Sequence, residues 1–136
     1  MSESKRRFAL TLLNGSFAMV RLPPDSHLPP WATGGDFFSA TRTSDELSIV
    51  CSIDRVPDGV VSERGWRVLK VNGVFALSEV GVLAALSASL AAADVSVFVI
   101  STFDTDYLLV HEKQLTAAIA ALRNAGHRVE QSGSLS

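Results

Sequence analysis

Two carboxylates, Asp104 and Asp106, stand on either side of Thr105 in the string Ser101-Thr102-Phe103-Asp104-Thr105-Asp106. Paired acids can divide a proton-transfer task when a nucleophile or base lies within hydrogen-bond reach. None is paired with them in the sequence. The three histidines, His27, His111 and His127, fall in a loop, before a helix and after a helix, and none has a neighbour at metal-ligand spacing. His111-Glu112 lacks the second histidine of a zinc-protease helix. The chain has no G-x-S-x-G elbow and no phosphate-cradling Walker loop, and Gly34-Gly35 is an isolated pair in a proline-rich link. Cys51 is the sole cysteine. It therefore forms no disulfide or thiolate zinc cluster within one chain, and its apolar run Leu47-Ser48-Ile49-Val50-Cys51 predicts a buried thiol in a reducing, cytoplasmic setting. These residues predict neither an enzyme nor a cofactor or metal site.

The elements that must position them come from a chain of 136 residues, 47% hydrophobic and 19% charged, a globular composition. The formal net charge of −2 argues against nucleic acid as a partner, since Lys5-Arg6-Arg7 is the only dense basic run and reads as a solvated terminus. No apolar stretch approaches the ~20 residues of a membrane span, so no membrane partner is expected. Asn14-Gly15-Ser16 between the apolar runs 8–13 and 17–22 predicts a hairpin, because the central residues of such turns take positive φ. The link 23–30 holds four prolines and leaves room for one helical turn at Pro30-Trp31-Ala32. A second hairpin follows with arms 37–41 and 46–51. Residues 52–65, with Pro57, Gly59 and Gly65, read as irregular.

From Trp66 onward the pattern is strand 66–71, helix 78–93, strand 95–100, strand 107–110, helix 112–125 and strand 127–131. Leu83, Leu86 and Leu90 recur at helical spacing, as do Leu115, Ile119 and Leu122, with Gly126 as a stop signal. The order βαββαβ predicts an α+β, ferredoxin-like sandwich, an antiparallel sheet with both helices on one face. Strand 66–71 either closes a first unit or opens a second, or does both.

Sliding the chain on itself so that Phe38 meets Phe98 also sets Thr41 on Ser101, Glu46 on Asp106, Ile49 on Leu109 and Val50 on Val110. Gly65-Trp66-Arg67-Val68 is similar to Gly126-His127-Arg128-Val129. A degenerate duplication accounts for these matches, and two unrelated hairpins of similar composition are the alternative.

The strings Phe38-Ser39-Ala40-Thr41-Arg42-Thr43, Glu46 to Cys51, Gly65 to Val71 and Ile100 to Tyr107 resemble a bacterial family of tandem ACT-domain proteins. That family is similar to the ACT repeats of the CASTOR arginine sensors and to the regulatory domains of aspartate kinases. The resemblance implies a degenerate N-terminal ACT-like unit over residues 7–64, an ACT unit over 65–131 and association into a homo-oligomer, a dimer. It further implies a small-molecule site, for an amino acid, where the loop after a unit's first strand meets a neighbouring hairpin. Carried over, the loop contributes Asn72, Gly73, Leu77, Ser78, Glu79 and Val80, and the hairpin Thr102, Phe103, Asp104 and Asp106. The family's Pro-Leu-Asp-Phe after the glycine is here Val74-Phe75-Ala76-Leu77.

In such a site the unpaired N–H groups of a helix starting at Ser78 suit a carboxylate. Asp104 or Asp106 suits an ammonium, and Glu79 a basic side chain. The same residues also read as an ordinary helix cap and ordinary turn formers. Two functions stay open: a non-catalytic regulatory binding module, and a structural homodimer with a vestigial pocket.

Overall fold

The computed structural model describes residues 7–73 and 81–132. The chain divides into two compact units, residues 1–14 with 67–136, and residues 15–66. The N-terminal strand groups with the C-terminal residues in this division.

The larger unit holds β1 (Ala9–Leu12), the second half of β5 (Ser62–Val71), α1 (Val82–Ala92), β6 (Phe98–Ser101), β7 (Asp106–His111), α2 (Leu115–Asn124) and β8 (Arg128–Gln131). Its strands run in the order β8-β1-β5-β7-β6. The sheet is mixed, which corrects the antiparallel expectation. β1 pairs antiparallel with β5 through Leu10 opposite Val71, and parallel with β8 through Leu10 opposite Val129. β1 occupies the ladder between β5 and β8, the two strands that a four-stranded βαββαβ sheet would join. Alternation explains its place: Leu10 and Leu12 are buried in one cluster with Leu69, Val71, Leu108, Val110 and Val129. Val82, Leu86 and Leu90 of α1 and Ala118 and Leu122 of α2 enter the same cluster. Leu83, Leu115 and Ile119, expected in the buried stripes, are only partly buried at its edge.

Both helices are shorter than expected. α1 begins at Val82 with Gly81 as its N-cap at φ +99°, past the Ser78 cap that the sequence suggested. A 3-10 turn over Glu112–Gln114 precedes α2, and the His111 Nδ1 caps it by accepting the Lys113 N–H at 3.2 Å. Gly126 ends α2 as expected, at φ +97°.

The smaller unit holds β2 (Phe17–Leu22), β3 (Ser39–Arg42), β4 (Leu47–Ser52) and the first half of β5. They form the order β3-β4-β2-β5 with antiparallel pairs throughout. Between the strands lie 3-10 turns at Pro30–Ala32, as expected, and at Ile53–Arg55. The core is Ala18, Val20, Ala32, Leu47, Ile49, Cys51 and Val56. Cys51 is fully buried and its thiol pKa is raised by that burial, which the Arg55 charge partly opposes. Arg42 fastens the proline-rich link, donating to the carbonyls of Pro24 and Ser26.

Two local expectations fail in instructive ways. β1 and β2 do not pair with each other; β1 takes β5 and β8 as partners, and β2 takes β4 and β5. Gly15 does adopt positive φ, +83°, but in a link between strands rather than in a hairpin turn. β5 starts at Ser62, inside the stretch read as irregular. Its Gly65, at φ +90°, is a bulge, since Trp66 faces Phe17 and Arg64 faces Ala18. β5 also serves both units: Ser62 to Trp66 pairs with β2, and Leu69 to Val71 pairs with β1.

A buried histidine links this fold to pH. His127 is 5% exposed, stacks on Phe8 at 5.6 Å between ring centroids, and accepts the Phe8 N–H at its Nδ1 at 3.0 Å. Burial, aided by the nearby Arg7 charge, lowers its pKa below the ordinary 6.5. The unfolded chain therefore takes up the proton first, so stability is full above pH 6.5 and falls as the pH drops through that value toward the folded pKa. The expected result is a urea midpoint that declines from pH 7.5 to about 5. His127→Asn, which keeps an acceptor without titrating, flattens that decline. His127→Leu, which strands the Phe8 N–H, lowers stability by about 1–3 kcal/mol at every pH.

Candidate ligand-binding site

The end of β5 and the β6–β7 turn belong to one unit and are joined by a long-range bond. The turn Thr102-Phe103-Asp104-Thr105 follows Ser101, which pairs with Asp106. It closes through the Thr102 N–H to the Thr105 carbonyl at 2.8 Å and the Thr105 N–H to the Thr102 hydroxyl at 3.2 Å. This is the self-bonding expected of a Thr-led turn. Thr105 then turns its side chain inward, where it is 7% exposed, and its hydroxyl donates to the Val71 carbonyl at 2.7 Å. Val71 is the last residue of β5, so the hairpin tip is tied to the start of the candidate loop.

Beyond Val71, Asn72 is half-buried; its N–H donates to the Ala9 carbonyl at 2.9 Å and its Oδ1 accepts the Thr11 hydroxyl at 3.0 Å. Gly73 is exposed with φ +107°, a conformation that favours glycine. Leu77, Ser78, Glu79 and Val80 lie outside the described residues. The first described donors of α1 follow Gly81. On the hairpin, Thr102 and Asp104 are exposed, and Phe103 is 80% exposed. Asp106 is half-buried and accepts the Ser101 hydroxyl at 2.5 Å. Its carboxylate is thus partly engaged, which leaves Asp104 as the more open acid.

Sequence reasoning named two segments and did not single out Thr105, whose hydroxyl joins the hairpin to the end of β5. Thr105 reads as an ordinary turn former, and nothing local marks its bond to a carbonyl 34 positions away. The arrangement offers an exposed carboxylate and an aromatic on a hairpin tied to the end of β5. Such groups can hold a small polar molecule. Among the described residues no three His, Cys, Asp or Glu side chains converge to hold a metal, and no helix is long and apolar enough to cross a membrane.

Comparison with known proteins adds to this geometry. A family model described as an ACT domain matches residues 61–124, and one described as an N-terminal domain matches residues 15–59. The cytosolic arginine sensor for mTORC1 subunit 1 of Homo sapiens is 37% identical over 130 residues, covering 89% of this chain and 40% of that protein. The Bos taurus counterpart is 32% identical over 114 residues, with 72% and 35% covered. The chain thus spans about 40% of the length of the curated relatives it matches. A crystal structure of an Agrobacterium tumefaciens protein is 42% identical with a TM-score of 0.89, covering 97% of this chain and 98% of that one. The ligand-free regulatory subunit of aspartate kinase from Thermus thermophilus shares the fold at 11% identity and a TM-score of 0.57, with 85% and 94% covered.

Proposed function

The chain belongs to the ACT-domain family, and on that premise we propose that it is a cytoplasmic regulatory module that binds an amino acid without catalysing a reaction. The observation that carries this reading is the Thr105 hydroxyl bond to the Val71 carbonyl at 2.7 Å, which ties an acid-bearing hairpin tip to the end of β5. Asp104 takes the ammonium. Backbone N–H groups at the start of α1 take the carboxylate, since they lack intrahelical acceptors. Ser78 and Glu79 complete the site from the loop.

We read the chain as a tandem in which the N-terminal copy has lost its helices. Three features support this. The smaller unit's strands, in chain order first to fourth, lie as 2-3-1-4, the ferredoxin-like arrangement, with 3-10 turns where helices would stand. Both hairpins turn through a threonine: the Thr43 N–H donates to the Glu46 carbonyl at 2.9 Å, as Thr102 does to Thr105. This turn match sets Thr43 on Thr102, one residue off the alignment of Phe38 with Phe98. Gly65 and Gly126 both take positive φ just before their Trp-Arg-Val and His-Arg-Val strings. Entry of both helices into one cluster with alternate strand residues supports their lying on one face of the sheet.

A thermal-shift screen against the twenty amino acids tests the function. The expected result is a melting point that rises with concentration for at least one of them, and no rise in Asp104→Ala. A second reading, a structural homodimer with a vestigial pocket, is favoured by Phe103 at 80% and Phe98 at 41% exposure. A flat screen at millimolar amino acid, together with a concentration-dependent dimer in light scattering, selects it.

A further inference from the structure

A second cleft lies in the larger unit, where the chain enters β1 and leaves α2. It encloses about 380 Å³ and is lined by Arg7, Phe8, Ala9, Gly126 and Arg128. Among its described lining residues two are cations and none is an acid. β1 and β8 run parallel here, with Ala9 opposite Arg128 and the Arg128 N–H bonded to the Phe8 carbonyl at 2.9 Å. Gly126 gives Arg7 its room, because a Cβ there would lie 3.0 Å from the Arg7 Nε. Glu130 holds the Arg128 Nη2 at 2.9 Å, which steadies that guanidinium while leaving its other N–H groups open. Arg7 forms no ion pair among the described residues.

An exposed arginine pair around this cleft presents forked N–H donors, one guanidinium without an ion-pair partner among the described residues and one only partly engaged by Glu130, the chemistry that recognises an oxyanion. We propose that Arg7 and Arg128 form a binding site for a small oxyanion, the group shared by inorganic phosphate and a free carboxylate. The site shares no residue with the Thr105 hairpin. Its occupant would neutralise the charge beside His127, one of the causes that lowers the histidine's pKa, so the imidazole reports on the site.

The test is a titration of the full chain with sodium phosphate, and separately with sodium acetate, against sodium chloride at matched ionic strength, followed by NMR. The expected result is saturable amide shifts at Phe8, Ala9 and Gly126 to Arg128 with phosphate or acetate but not chloride, and a His127 pKa that moves up toward its ordinary value. Arg7→Gln and Arg128→Gln each weaken the response about tenfold, the loss expected when one charge-assisted contact is removed. Arg64→Gln, which removes an exposed arginine of the other unit, leaves it unchanged. Shifts that match those of chloride, or an Arg7→Gln response equal to that of Arg64→Gln, overturn the proposal.

Discussion

Leu86→Ala is expected to lower the free energy of unfolding by about 3–5 kcal/mol, read as a fall in the urea midpoint at unchanged slope. Leu86 is fully buried at the middle of α1, one turn from both Val82 and Leu90, and faces a cluster fed by strands and by α2. Truncation removes its transfer free energy and leaves a cavity that the surrounding strands can close only in part. Since small domains are stable by about 5–15 kcal/mol, this one change removes a large share of the total. Leu122→Ala in α2 is expected to cost a similar amount. If both helices cover the same face, the two cavities share walls, and the double variant departs from the sum by more than about 0.5 kcal/mol. Additivity within about 0.3 kcal/mol would separate the helices and count against the single-face arrangement.

What the sequence made legible was what neighbouring residues decide. The hairpins β3–β4 and β6–β7 form where apolar runs flank a polar turn, and each turn closes on its own threonine. The stop at Gly126 is local in the same way, since only the backbone conformation at that residue is at stake. Choices of partner were not legible. Asn14-Gly15 carries a sound hairpin signal, yet β1 pairs with β5 and β8 and buries Leu10 and Leu12 in the cluster that α1 and α2 also enter. Gly65 looked like a strand breaker because a bulge and a break need the same residue. At the site, the exposure of Phe103 and Asp104 follows from their place in the turn. The inward hydroxyl of Thr105 depends on where β5 ends, which no window around Thr105 contains.

Thr105→Val tests that hidden link most directly. Valine keeps the shape of the side chain but removes the donor, leaving the Val71 carbonyl without the hydroxyl that it accepts at 2.7 Å in a buried setting. The expected loss of stability is about 1–3 kcal/mol, the cost of a stranded buried acceptor. The larger effect is expected on ligand response. On the proposed function, with the hairpin tip untied from the end of β5, Asp104 is no longer held in place, and any amino-acid-dependent rise in melting point disappears. Thr105→Ser distinguishes positioning from simple destabilisation. It gives up a methyl group and therefore some packing, but it retains the hydroxyl. A lower melting point that still rises with ligand is the expected behaviour of Thr105→Ser, whereas Thr105→Val loses the rise. If both variants respond to ligand as the parent does, the hairpin tip does not build the site.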